Sequence, residues 1–230
     1  MAIQQELAFP KSWGGTREGA GRRPGARASH HPRPKFEKPT AVHVTVRVRN
    51  HVWNLRSRRC HDRIARCLEM AVGKFGLRVI EYSILGNHIH LIVEADGAES
   101  LARGMQGLEI RIAKSLNSLM DRSGPVFSDH YNSRRLTSPT ELVRAIAYVL
   151  RNHEHHYAST GRDRFSSDGL PAAERRAQLA VPVSWLLTIG WRKAAPADLR
   201  RLRGFAFERA RDATAGCTVA AGARAIAAGP

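Results

Sequence analysis

Leu77-Arg78-Val79-Ile80-Glu81-Tyr82-Ser83-Ile84-Leu85 and His88-Ile89-His90-Leu91-Ile92-Val93 are two strand-like runs separated by Gly86-Asn87. A Gly-Asn pair between two such runs is hairpin chemistry, so the two strands are expected to pair antiparallel. Upstream, Val42 to Arg49 alternates apolar and polar residues with period two, which marks a half-buried strand. Between that strand and the hairpin, Arg59 to Phe75 places Ile64, Cys67, Leu68, Ala71 and Phe75 on one helix face, and Gly76 is expected to end the helix. Downstream, Ser100 to Leu119 reads as a second helix stopped by Ser123-Gly124-Pro125, and Val126 to Leu136 as a further strand. Ser138-Pro139-Thr140-Glu141 opens a third helix, with Ser138 as N-cap, Pro139 in the first position and Glu141 three residues on. Strand, helix, strand, strand, helix, strand, helix is a split βαβ order. It predicts an α+β fold of ferredoxin-like type, an antiparallel sheet with helices on one face. No GxGxxG, P-loop or internal repeat occurs, so nucleotide-cofactor folds have no support.

Charge is distributed unevenly around this centre. The 230 residues carry 37 Lys+Arg against 20 Asp+Glu, a net charge of +17, and only six of the cations are lysine. Such a balance points to a polyanionic partner, and arginine's planar fork suits phosphate and base edges. Residues 1–40 are basic and rich in Gly and Pro, with almost no apolar periodicity, and read as a disordered arm. Residues 41–160 read as the folded domain, and 161–230 as a linker and basic C-terminal segment. Cys60 and Cys67, two turns apart on the first helix, lie beyond disulfide reach and suit a reducing compartment. No apolar stretch is long enough for a leader or a membrane span, so a cytoplasmic protein is expected.

Two groups of residues could carry chemistry. In a strand, His88 and His90 project to one face while Ile89 enters the other, and two imidazoles side by side are a natural pair of metal ligands. The same pair also suits two partly exposed sheet histidines with no metal. On the third helix the apolar stripe is Leu142, Ala145, Ile146, Val149 and Leu150, and Tyr148 falls off it, sharing an edge with Asn152 one turn on. A phenol and a carboxamide stacked this way can serve as nucleophile and as metal or phosphate ligand, or as an amphipathic rim tyrosine beside an exposed amide.

Taken together, these residues resemble the single-tyrosine HUH transposases, the branch of REP-associated tyrosine transposases and their IS200-like insertion-sequence relatives. The likeness rests on Tyr82 to Val93, with His88-Ile89-His90 as its His-hydrophobic-His core. It continues through Met105-Gln106-Gly107-Leu108 with Asn117, then Val126 to Tyr131, then Ala147-Tyr148-Val149-Leu150-Arg151-Asn152. It covers roughly residues 42–157, in matching order and spacing. Where many relatives place proline after the asparagine, this chain continues His153-Glu154-His155-His156-Tyr157. The resemblance implies strand cleavage and rejoining on single-stranded or hairpin DNA, with Tyr148 on the third helix as nucleophile and a 5′-phosphotyrosine intermediate. It implies Mg²⁺ or Mn²⁺ held by His88, His90 and Asn152, in a monomer or homodimer associated with the nucleoid. Arg47, Arg49, Arg134 and Arg135 could track backbone, with Tyr131 or Trp53 available for stacking. A non-catalytic, domesticated binder of hairpin DNA or RNA with the same fold is the rival reading.

Overall fold

The computed structural model describes residues 35–158, 160–202 and 207. The chain divides into Met1–Pro32, which lies outside the described residues together with most of the basic arm, and Arg33–Pro230. Within the second unit the elements run β1 (Thr40–Arg47), α1 (Arg58–Glu69), β2 (Leu77–Ile84), β3 (His88–Ala95), α2 (Ala98–Leu119), β4 (Asn132–Arg135) and α3 (Pro139–Tyr157). The strands form one antiparallel sheet in the order β2-β3-β1-β4. This is the α+β class expected.

The period-two pattern of β1 sets the first core. Val42, Val44, Val46 and Val48 point to one face beside Ile89, Leu91 and Val93 of β3. Ile64, Cys67 and Leu68 of α1 and Met105, Leu108 and Ile112 of α2 cover that face. Each such side chain contributes about 1.5–3 kcal/mol on burial. The other face is also covered, which differs from helices on one face only. Ala41, Ile80 and Ile92 pack against Leu142, Val143, Ile146, Val149 and Leu150 of α3. The double cover shows in β2 and β3, where all but one residue of each strand is buried, polar Glu81, His90 and Glu94 among them.

Three boundaries also move. The first helix ends at Glu69, because Gly73, Phe75 and Gly76 adopt positive φ and turn the chain into β2. The expected strand Val126–Leu136 shrinks to Asn132–Arg135 plus a lone bridge between Val48 and Phe127. Asp129 accepts a hydrogen bond from the His130 N–H, a local turn that competes with the ladder. Residues 35–40, expected in the arm, belong to the body, where Phe36 is buried and its carbonyl accepts from Ala98 N–H.

Residues 161–202 are not a linker. The Ile84 N–H donates to the Phe165 carbonyl, the Tyr82 N–H to Ser167 Oγ, and the Ala180 N–H to the Val79 carbonyl, so this stretch covers the β2 edge. Buried charges fasten it. Glu81 pairs with Arg175 at 2.6 Å, and Glu94 accepts from Arg78 and from the Val183 and Ser184 N–H groups. Leu187, Trp191, Ala194, Leu202 and Phe207 complete the α3 core, while Trp185 stays exposed. Among the described residues, no helix is long and apolar enough to cross a membrane.

Candidate functional site

Register places the site's parts side by side. His88 lies opposite Arg47 and His90 opposite Thr45, so these four side chains and His43 share the α3 face of the sheet. Ile89 enters the opposite core, as its alternation requires. His88 is half-buried. His90, expected to be exposed, is only 6% exposed because α3 lies over it.

Hydrogen bonds orient both imidazoles. His88 Nδ1 is 2.7 Å from the Asn87 Oδ1 acceptor, which fixes the proton on Nδ1. His90 Nδ1 meets Thr45 Oγ1 at 3.0 Å and His43 Nε2 at 3.1 Å. In each ring Nε2 is the nitrogen left without a protein hydrogen bond among the described residues, while contacts at Nδ1 hold the ring in place. Burial, and then the neighbouring His43, His88 and His156, push His90 down to about 3. Burial, His156 and Arg47 lower His88, and burial and Arg134 lower His43. All three rings are therefore neutral at neutral pH, the state that binds metal.

The third helix brings its edge onto these rings. Ser138 accepts from the Glu141 N–H, as its N-cap role predicts, while the Glu141 carboxylate accepts from the Thr137 N–H and hydroxyl. Tyr148 is 47% exposed, and its ring stands edge-on to His90 at 5.4 Å and to His43 at 6.0 Å between centroids. Two turns on, His156 meets His88 at 5.6 Å. Asn152 lies on the same helix edge midway between them, at i+4 from Tyr148 and i−4 from His156. It is 1% exposed, not exposed as the rim reading had it, and its amide nitrogen has no hydrogen-bond partner among the described residues. At the helix end the Tyr157 hydroxyl accepts from the Gly86 N–H, tying α3 to the turn that carries His88.

Two neutral imidazoles with Nε2 uncommitted suit a divalent ion, and the buried Asn152 beside them could add its carbonyl oxygen but not its unpaired amide nitrogen, which is a donor. No group of three or more His, Cys, Asp or Glu placed to hold a metal occurs among the described residues. His153 does not offer itself as a substitute ligand, since its two nitrogens face the Leu150 and Gly161 carbonyls. Tyr131 is buried and unsuited to stacking, whereas Trp53 is exposed. Sequence reading passed over His43 and Thr45. Both occupy polar positions of the period-two run in β1, and pairing β1 beside β3 would have exposed them as neighbours of His90.

Residues 38–149 match the family described as "Transposase IS200 like", a stretch that holds all four strands, both histidines and Tyr148 but stops short of Asn152. No curated protein matches the chain. Among solved structures, a REP-associated tyrosine transposase bound to a REP hairpin is similar over 68% of this chain and 94% of that one, at 16% identity and a TM-score of 0.49. A candidate transposase from Deinococcus radiodurans R1 is similar over 46% of this chain and 86% of that one, at 13% identity and a TM-score of 0.38. From the match that spans its sheet, its paired histidines and its helix tyrosine, the chain belongs to the IS200-like transposase family.

Proposed function

We propose that this transposase cuts and rejoins single-stranded DNA beside hairpins in the cytoplasm, with Tyr148 as nucleophile and a divalent ion at His88 and His90. The observation that carries the reading is the packing of an exposed Tyr148 ring against His90 and His43, with His88 two residues before His90 on the same strand face. His88 and His90, with Asn152 beside them, would hold Mg²⁺ or Mn²⁺. Bound there, the ion supplies Lewis-acid polarisation of the phosphoryl oxygens.

The chain's own groups do the rest. Asn87 holds His88 in one tautomer, and Thr45 and His43 fix the His90 ring. Arg47, exposed and directly across from His88, offers a cation to the phosphate backbone. Tyr148 Oη attacks phosphorus in line, forming the Oη–P bond as the P–O3′ bond breaks. The 3′-oxygen leaves with the electron pair and takes up a proton, while the phenol gives up its own. A second 3′-OH reverses these steps and releases Tyr148, so the phosphoester is conserved without an external energy source.

His88→Ala tests the ligand assignment best, because His88 is only half-buried and its truncation leaves no closed cavity. Removing an outer partner of a metal ligand costs about 10–100-fold, so losing the ligand itself should reduce Mg²⁺-dependent cleavage of a hairpin-flanked single strand by more than about 100-fold. DNA binding and thermal stability should stay near wild type. Cleavage at the wild-type rate would refute the assignment.

A further inference from the structure

The loop between β1 and α1 presents a feature that the cutting chemistry does not use. Trp53 is 44% exposed, although Val52 on one side and Leu55 two residues on are buried anchors. The loop is fixed at both ends to the turn before His88: the Val48 N–H donates to the Asn87 carbonyl and the Leu55 N–H to the Gly86 carbonyl, each at 2.9 Å. Within it, Val52 N–H donates to the Arg49 carbonyl, Ser57 N–H to the Asn54 carbonyl, and Arg56 N–H to Asn54 Oδ1. A large aromatic ring is thus held out from the surface by an ordered loop whose ends are tied to the turn before His88, with the Trp53 N–H donating to Met120 Sδ at the end of α2.

Its surroundings select the partner. The Arg59 guanidinium lies 5.4 Å from the Trp53 ring centroid. Arg49, Arg58, Arg63 and Arg66 are also exposed along this loop and α1, whose first turn carries no acid. From Arg49 to Arg66 the only acidic residue is Asp62. Arg56 is excluded from this group, since Asp163 holds it in a two-pronged pair. A second copy of a chain of charge +17 would be repelled here, whereas a strand that presents phosphates and base faces fits both the arginines and the ring.

Resting on the reading above, we propose that Trp53, steadied by Arg59, is a stacking platform for one unpaired base of the single strand beside the scissile phosphate. Stacking on an aromatic side chain is worth about 1–3 kcal/mol per base, or about 5- to 150-fold in affinity. The test is anisotropy with the full-length protein in EDTA, using a labelled hairpin with single-stranded flanks and a series of oligonucleotides each carrying one abasic site. For wild type, one flank position should cost about 5-fold or more when its base is removed. Trp53→Ala should weaken the intact strand by a similar factor and lose sensitivity at that position, with its salt slope unchanged, because no charge is removed. Trp53→Phe should recover most of the affinity. If Trp53→Ala binds like wild type, or pays the same abasic penalties, the platform is refuted while the cutting reading stands. If folded wild type binds no single-stranded DNA, both fail together.

Discussion

At His90 two demands meet, since a metal ligand must be neutral and a ring under a helix is costly to charge. Unfolded, the imidazole takes up a proton below about 6.5; folded, burial and its neighbouring imidazoles delay this to about 3. Throughout that window the unfolded state binds more protons, so the stability tied to His90 is complete above about 6.5 and is lost as pH falls toward 3. In the presence of a chelator, wild-type Tm should therefore fall between pH 7 and pH 4 more steeply than that of His90→Gln, which has no proton to gain. Parallel curves would contradict the burial of a neutral ring. Asn152 stands in a related position, its amide buried and unpaired. An unpaired buried amide costs about 1–3 kcal/mol. Asn152→Ala should thus leave Tm unchanged or raise it, while cleavage falls less than in His88→Ala. A clear loss of stability would show that the amide has a structural partner.

At the scale of elements, α3 delivers the chemistry, and its placement depends on its two ends. Ser138 caps the first turn, and Tyr157 fastens the last turn to Gly86. Ser138→Ala should cost about 1 kcal/mol in urea denaturation, and no change would mean that Glu141 and Thr137 suffice to start the helix. This helix was legible in advance because its start is local chemistry: a capping serine, a proline and a glutamate within four residues. The His88/His90 pair was equally legible, since alternation in a strand fixes which side chains share a face. What could not be read was which elements meet. His43 and Thr45 look like ordinary polar positions of β1 until the register sets them against His90. The burial of Asn152 follows from the docking of α3 on the second sheet face, not from its own helix pattern. Residues 161–202 look like a linker because their helices are short, and what holds them is Glu81–Arg175, Glu94 and strand-edge hydrogen bonds to distant residues.

For the whole molecule, charge governs encounter with DNA and the site governs the reaction. Phe36 belongs to the core, so a truncation that removes the arm should stop at Pro32. That deletion takes away five basic and two acidic residues. With about 0.7 in log–log slope lost per phosphate contact on single strands, it should weaken binding across sequences alike and flatten the salt dependence. An unchanged slope would show that the arm does not touch DNA. The central claim is that Tyr148 forms the bond to phosphorus, and mass spectrometry tests it most directly. After incubation of the full-length protein with a hairpin-flanked single strand and Mn²⁺, trypsin releases Ala145 to Arg151, whose only tyrosine is Tyr148. That peptide should carry the nucleotide adduct, and Tyr148→Phe should abolish the adduct while hairpin affinity stays within a few-fold. An adduct on Tyr131 or Tyr157, or one that survives in Tyr148→Phe, would contradict the account.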